Sequence, residues 1–336
     1  MSINPGSGKN WRFWRVPIAL AGGALAIFAA SFIVAPESLF FLQNVLVLGL
    51  FAVSTNLLVG YGGLVSFGQA VFYGLGAYVL ALGWLYFRAP FWLLFLFSPF
   101  VGAVCAFIVG ALTLRNKNWY FSLLTLAFSQ LFFTVASQWY SLTRGANGIF
   151  GPMIPDSLQD PQHGLWFILV ISIVALLLLW AITVSPFGLT LRASGENPKR
   201  VEALGINLYW SRLYAFVLSG TFCALAGALF VVRSQSAYPT LLDWTQSGEP
   251  ILVSLIGGLH YFLGPLLGAT IFVLAHDYLV AHSDAWEILL GTSLIVIVLS
   301  APNGLLGIGS GQRIRYGVVA GSWAALVSRL SGKRRD

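Results

Sequence analysis

Charged side chains are scarce in this chain of 336 residues, where Asp, Glu, Lys and Arg together make up only 9%. A soluble domain carries about 25% charged residues, so this composition excludes an ordinary aqueous surface. The alternation of apolar and polar positions that a membrane β-barrel requires is also missing, because the apolar runs are continuous. There are only two cysteines, Cys105 and Cys223, both inside apolar runs, which argues against a disulfide framework or a zinc site. The class that remains is a helical membrane protein.

What the chain has instead is a succession of apolar stretches, most of them long enough to cross a bilayer, which takes about 20 residues of helix. We therefore predict an all-α, polytopic membrane protein with about ten helical crossings. Two regions are unusual as membrane helices: Tyr61–Tyr78, rich in glycine, and Gly248–Gly268, which contains glycine and proline. Glycine at this density allows helices to approach closely, as at the spacing of Gly264 and Gly268, or permits short or broken helices. The stretches are 16–35, 39–59, 61–87, 91–114, 119–140, 164–184, 212–233, 246–259, 264–281 and 285–301.

The distribution of charge predicts the orientation of these crossings. With the N-terminus inside, 15 of the 18 Lys and Arg residues and only 3 of the 11 Asp and Glu residues fall on the inner side. Basic residues concentrate on the cytoplasmic side of membrane proteins, so we expect both termini to be cytoplasmic. The net charge of +7 is thus a feature of topology and does not indicate nucleic acid binding. We divide the chain into an inner segment 1–15, a membrane domain 16–308 and a basic cytoplasmic tail 309–336.

The centres of the predicted crossings contain no Asp, Glu, Lys or Arg. A carrier driven by an ion gradient normally needs ionisable groups at membrane depth, so an autonomous secondary carrier is disfavoured. The segment Gly6–Lys9 lacks the first glycine and the Ser or Thr of a phosphate-binding loop. A membrane enzyme built on His276 and His282 stays an alternative. Any transport would otherwise take its energy from another protein.

Uncharged polar residues follow one face of two crossings, at the spacing of three and four residues that aligns side chains on a helix. Two roles are open for them: hydrogen bonds between helices in lipid, or the lining of a polar path for a solute. The candidates for the path are Ser66, Gln69, Tyr73, Thr125, Ser129 and Gln130. No metal or cofactor site is predicted.

A charged island, residues 192–212, interrupts the apolar sequence. It holds six charged residues, and burying each of them at mid-bilayer would cost about 2.5–3.5 kcal/mol. Asn197 as a cap, Pro198 in the first turn and Gly205 after the end predict a helix over 198–204, with Val201 and Leu204 on one face. A helix of two turns is not stable alone, so it needs a surface to rest on. That surface is either the rest of the bundle or a cytoplasmic partner.

Several segments resemble LivM-type permeases of bacterial branched-chain amino acid ABC transporters. The island and the helix after it, GENPKRVEALGINLYWSRLYAFVLSGTFCALAGAL (195–229), are similar to the family's cytoplasmic loop. GYGGLVSFGQAVFYGLGAYVLAL (60–82) resembles its glycine-rich third span. EPILVSLIGGLHYFLGPLLGATIF (249–272) and LSAPNGLLGI (299–308) resemble its C-terminal part, and LTLAFSQLFF (124–133) with LTRGANGI (142–149) matches more loosely.

The resemblance implies an ABC importer permease bundle in the bacterial inner membrane, carrying branched-chain or related hydrophobic amino acids. Related permeases serve urea, amides or sugars, so these substrates stay alternatives. It also implies a LivH-type second permease, two cytoplasmic ABC ATPases, a periplasmic binding protein and no catalysis by this chain. Within the loop 185–211, the residues that would couple to an ATPase are Glu196, Asn197, Pro198, Arg200, Val201, Glu202, Ala203, Leu204 and Gly205.

Overall fold

The computed structural model describes residues 9–33, 36–115, 118–283, scattered positions between 285 and 295, and 304–309. The predicted crossing 285–301, most of the tail 309–336 and the first eight residues lie largely or wholly outside this part. The helices are α1 (Lys9–Ala30), α2 (Pro36–Asn56), α3 (Gln69–Leu82), α4 (Phe91–Thr113), α5 (Asn118–Gln138), α6 (Tyr140–Thr143), α7 (Asp156–Gln159), α8 (Pro161–Val184), α9 (Pro186–Glu196), α10 (Pro198–Ala203), α11 (Leu208–Ser234), α12 (Trp244–Gly257), α13 (Gly264–His282) and α14 (Leu305–Gly309).

Shorter elements complete the described fold. Two π-helical turns extend α2 and α3, and two 3₁₀ turns lie in the connections. The strands β1 (Ile149–Phe150) and β2 (Ser236–Ala237) form a single antiparallel pair of two residues each. These elements are Leu57–Tyr61, Gly83–Phe87, Gly145–Asn147, Pro239–Leu242, Ile149–Phe150 and Ser236–Ala237.

The expectation of an all-α, polytopic membrane protein is confirmed. In the part of the chain that the structure describes, seven helices are long and apolar enough to cross a membrane. The apolar part of α1, Val16–Ala30, is shorter, and α12 has 14 residues against the about 20 that a full crossing takes. The total of ten crossings stays a prediction. The seven helices are Ser38–Tyr61, Gln69–Phe87, Phe91–Thr113, Trp119–Gln138, Pro161–Val184, Leu208–Ser234 and Gly264–His282.

The glycine-rich stretch 61–87 is a loop followed by a helix. Residues 62–68 are not helical, and α3 begins only at Gln69. Irregular backbone at membrane depth is tolerated where protein groups satisfy it. Here the amide of Phe67 donates to Oγ1 of Thr125 at 3.2 Å, and the hydroxyl of Ser122 donates to the carbonyl of Val65 at 2.6 Å. We call residues 62–68 the entry loop.

Glycines let the central helices approach one another at backbone distance. A Cβ atom at Gly227 of α11 would lie 1.8 Å from the carbonyl oxygen of Tyr73 in α3. Close approach, one of the two outcomes that the spacing of Gly264 and Gly268 allows, is found here, because a Cβ at Gly268 would lie 2.0 Å from the carbonyl oxygen of Val253 in α12. Small residues at such contacts are typical of helix packing in membranes, where van der Waals contact replaces the hydrophobic effect.

Candidate functional site

The island folds into two short helices instead of the one that the sequence predicts. The helix α9 precedes α10, and Ser185 caps it by accepting a hydrogen bond from the amide of Gly188. In α10, Oδ1 of Asn197 accepts from the amide of Arg200 at 3.2 Å, as the predicted cap requires. The helix α9 was not predicted, because its residues, PFGLTLRASGE, were assigned to the cytoplasmic loop 185–211.

The end of α10 is closed by backbone hydrogen bonds on both sides of a left-handed glycine. Gly205 has φ of +81°, its amide donates to the carbonyl of Glu202 at 2.9 Å, and the amide of Ile206 donates to the carbonyl of Val201 at 3.4 Å. This pattern of two bonds is the Schellman motif. Together with the Asn197 cap at the other end, the Schellman motif explains why both ends of this six-residue helix are fixed.

Val201 and Leu204 do not share a buried face, so that prediction is wrong. Val201 is 3% exposed and rests on the bundle, whereas Leu204 is 74% exposed. Leu204 is the C-cap residue, which follows the last helical residue, Ala203. Around α10 the other predicted coupling residues are exposed, apart from half-buried Pro198, and they make up one surface segment: Glu196, Asn197, Arg200, Glu202, Ala203 and Gly205. We call this surface, with Leu204, the island face.

The island touches the entry loop directly. The guanidinium carbon of Arg192 lies 4.7 Å from the ring centroid of Tyr61, in a cation–π contact. A Cβ atom at Gly195 would lie 2.8 Å from the carbonyl oxygen of Tyr61 and 3.2 Å from the amide nitrogen of Gly63. The backbones of α9 and of the entry loop are therefore in contact, with no side chain between them.

Four of the six predicted path residues are fully buried and pair with other protein groups. The hydroxyl of Ser129 donates to the carbonyl of Leu242 at 2.7 Å, and Nε2 of Gln69 lies 3.4 Å from Oγ of Ser66. Thr125 binds the entry loop, as described above. Tyr73 is 5% exposed, with its ring stacked on Phe51. Gln130, next to Ser129 in α5, is exposed.

Gln69 is the centre of a polar contact between three helices. Its Oε1 lies 3.2 Å from Oγ of Ser219 and 3.4 Å from Sγ of Cys223, both in α11. Oγ of Ser219 also lies 2.6 Å from the carbonyl oxygen of Ser54 in α2. Sequence analysis did not find these partners, because their polar side chains are single positions in apolar runs. The role of the six residues in a solute path stays a prediction.

The histidines near the end of α13 make local contacts. Nδ1 of His276 lies 3.1 Å from Oδ1 of Asp277, and Nδ1 of His282 lies 2.8 Å from the carbonyl oxygen of Tyr278. Within the described ranges, no three His, Cys, Asp or Glu side chains converge as metal ligands would. Asp284, two residues after His282 in the sequence, is outside the described residues. Nothing in these contacts favours the alternative of a membrane enzyme.

Comparison with known proteins agrees with this architecture. A family model described as "Branched-chain amino acid transport system / permease component" matches residues 37–299. The chain belongs to this family. With seven helices of membrane-crossing length among its described residues, it is a multi-pass membrane protein. No solved structure matches the chain.

Curated relatives carry names that agree with the family. The chain is 24% identical over 278 residues to the high-affinity branched-chain amino acid transport system permease protein LivM of Salmonella typhimurium, across 75% of this chain and 65% of the relative. It therefore spans about two thirds of that relative's length. It is 24% identical over 309 residues to the probable LivM of Methanocaldococcus jannaschii, across 76% and 89%. The probable LivH of the same organism is 30% identical over 156 residues, across 42% and 47%.

Proposed function

We propose that this chain is the permease subunit of an ABC importer, forming half of the translocation pathway for branched-chain or related hydrophobic amino acids. Membership of the permease family is the observation that carries the proposal. A further support is that the chain presents an island of charged, exposed residues next to a bundle whose helices are largely apolar. The chain itself catalyses no reaction, and ATP hydrolysis belongs to partner subunits.

The partners in this proposal follow from the family. A LivH-type permease forms the other half of the pathway, two ABC ATPases bind on the cytoplasmic side, and a periplasmic binding protein delivers the solute. The charge distribution supports an inner location for both termini and for the island. We take 1–15 as the inner segment, 16–308 as the membrane domain and 309–336 as the inner tail. In bacteria, this arrangement belongs to the inner membrane.

The island face is the proposed contact with an ATPase. A large apolar side chain that stands free in an aqueous loop is a common anchor for a partner, and Leu204 is such a side chain. The Schellman motif and the Asn197 cap hold the backbone around it in one conformation, which lowers the entropy lost on binding.

The contact between α9 and the entry loop supports a route for the motion. When an ATPase pushes α10, the push reaches α9, and the backbone of α9 at Gly195 abuts the loop at Gly63. The loop continues into α3 at Gln69, whose side chain contacts α11. A displacement of the island is thereby passed to the junction of α2, α3 and α11. The step from α9 to the entry loop needs no side chain to rearrange, because it is backbone against backbone.

Reconstitution tests the proposed function. The chain is inserted into liposomes alone, and together with a LivH-type permease, two ATPases and a binding protein. We expect leucine uptake that depends on ATP and on the binding protein, and only with the full set of subunits. Leucine uptake by the chain alone, driven by a proton gradient, would show a secondary carrier instead.

The coupling role of the island is tested separately with the double variant Glu202→Ala/Gly205→Ala. The glycine has a positive φ that alanine tolerates poorly, so the end of α10 is disturbed while the membrane helices are not. We expect normal insertion and a several-fold loss of ATPase stimulation. Asp156→Ala, in an exposed helix elsewhere, is the matched control. Full stimulation in the double variant would refute the assignment.

A further inference from the structure

A groove lies between α4 and the beginning of α11, at the end of the bundle where the island is found. Its volume is about 470 Å³. Both helices are long and apolar enough to cross a membrane, so the groove faces the surroundings of the bundle. The lining residues are Phe107, Ala111 and Arg115 on the side of α4, and Tyr209, Trp210 and Leu213 on the side of α11.

The groove changes from apolar to cationic along its length. Phe107, Ala111 and Arg115 follow one another at intervals of four residues, which is the spacing of one helical face. Phe107, two turns inside the span, is 49% exposed, and Arg115, just after the end of α4 at Thr113, is also exposed. The groove thus offers apolar surface at membrane depth and a positive charge at its end.

The guanidinium of Arg115 has no anionic partner in the part of the chain that the structure describes. It forms no salt bridge within 4.0 Å there, and no Asp or Glu is among the described residues that line the groove. The hydroxyl group of Tyr209 donates to the carbonyl of Ala111 at 3.2 Å, which satisfies a carbonyl that the end of α4 leaves unpaired. The charge of Arg115 is therefore available to an anion from outside the chain.

Aromatic side chains place this end of the groove at the level of the lipid head groups. Trp210 is 46% exposed and Tyr214 is 56% exposed, with 6.0 Å between their ring centroids, and Tyr209 lies 5.6 Å from Trp210. Exposed Trp and Tyr residues concentrate where a membrane meets water. The charge distribution of the chain predicts that this is the cytoplasmic side, whose leaflet carries anionic lipids.

Two other grooves of the described bundle lack this charge. One lies between α4 and α5 with a volume of about 370 Å³, and the other lies between α1, α2, α8 and α13 with a volume of about 270 Å³. None of their described lining residues is charged. Such grooves fit the acyl chain of any lipid, whereas Arg115 gives the groove between α4 and α11 a means of selecting a head group.

We propose that the groove between α4 and α11 binds one anionic phospholipid of the inner leaflet, with its phosphate on Arg115 and an acyl chain along Phe107 and Ala111. A guanidinium matches the geometry of a phosphate, and basic pockets between membrane helices on the cytoplasmic side recognise such head groups. One cation suits a lipid with one phosphate, such as phosphatidylglycerol. The indole ring of Trp210 lies beside the head group. This inference does not depend on which solute the chain carries.

The test uses Trp210 as a reporter, because lipids with brominated acyl chains quench the fluorescence of a tryptophan that they contact. The full-length chain is placed in nanodiscs of phosphatidylcholine, to which brominated phosphatidylglycerol or brominated phosphatidylcholine is added. The signal of Trp210 is the difference between the wild type and Trp210→Phe. We expect phosphatidylglycerol to quench this signal at an about fivefold lower mole fraction, as about 1 kcal/mol for one basic residue implies.

Substitutions at Arg115 separate recognition of the head group from simple contact with lipid. In Arg115→Gln we expect both lipids to quench alike, whereas Arg115→Lys keeps a point charge and most of the preference. Arg88→Gln, which removes an exposed charge at the other end of its crossing, is the matched control and is expected to keep the fivefold preference. Equal thermal midpoints show that the variants are folded.

Three results would overturn the inference. The first is equal quenching by the two lipids in the wild type, and the second is a preference for phosphatidylglycerol that persists in Arg115→Gln. The third comes from repeating the measurement on the transporter assembled with its partner subunits. The preference is expected to remain there, and its loss would show that a partner subunit covers the groove in place of a lipid.

Discussion

The contact between the island and the entry loop gives the sharpest prediction, which concerns Gly195→Ala. The added methyl carbon would lie 2.8 Å from the carbonyl oxygen of Tyr61, which is 0.6 Å short of the 3.4 Å at which ordinary contact begins. It would also lie 3.1 Å from the carbonyl carbon of Gly62. All the nearest atoms belong to the backbone, so no side-chain rotation relieves the overlap. Either α9 or the entry loop has to move.

The energy cost of the overlap in Gly195→Ala is moderate, and we expect it to weaken the coupling between ATP hydrolysis and transport. Overpacking of this kind costs about 1–3 kcal/mol, which is too little to unfold a bundle of this size but enough to separate two surfaces that only touch. If the push of the ATPase travels through Gly195, a cost of about 1.4 kcal/mol at this contact changes the population of the coupled state about tenfold. We expect ATP hydrolysis to continue while transport falls.

The assay measures leucine taken up per ATP hydrolysed in reconstituted transporters. Gly195→Ala is expected to lower this ratio several-fold, with normal assembly. Gly22→Ala in α1 is the matched control, because its added methyl group meets nothing within 4 Å. An unchanged ratio in Gly195→Ala, at normal expression, would refute the reasoning that the contact transmits motion.

Three other substitutions test separate parts of the structure. Leu204→Asp changes an exposed position, so we expect a thermal midpoint within a few degrees of the wild type and a loss of ATPase co-purification; retained co-purification would contradict the island face. Asn197→Ala removes the acceptor for the amide of Arg200 and is expected to weaken stimulated ATPase activity about fivefold, for a cost near 1 kcal/mol, whereas Asn197→Asp keeps the cap and the activity. Gly227→Ala places a methyl carbon 1.8 Å from the carbonyl oxygen of Tyr73, so little folded protein is expected in detergent extracts; a normal yield would show that α3 and α11 are not held at that distance.

The sequence predicted the features that depend on local chemistry. The caps of α10 follow from the residue types at Asn197 and Gly205, and the break before α3 follows from the glycines of the entry loop. The caps and the break each depend only on residues within one helical turn or one loop. The helical class could also be predicted from each segment by itself, because a continuous apolar segment in a bilayer can satisfy its backbone hydrogen bonds in few ways other than as a helix.

Features that depend on partners distant in sequence were not predicted. The hydrogen-bonding group around Gln69 joins residues about 150 positions apart, and no spacing rule connects them. The exposure of Leu204 was misjudged for a related reason, since the spacing of residues along a helix does not show how much of its surface the rest of the bundle covers.

The glycine contacts between α3, α11, α12 and α13 limit which parts of the permease can move relative to one another. At each of these contacts, a carbonyl oxygen of one helix lies where the Cβ atom of the facing residue would be, so the facing residue has to be glycine. If one helix slid by one residue along the other, a side chain would collide with that oxygen. α3 and α11 therefore travel as one body, as do α12 and α13, and a change of access has to occur between such bodies. In contrast, α5 has only 22% of its apolar window buried and is joined to the centre through hydroxyl groups at Thr125 and Ser129. Such hydrogen bonds can exchange partners during the transport cycle. The interface between α5 and the rest of the bundle is therefore where the helices can separate.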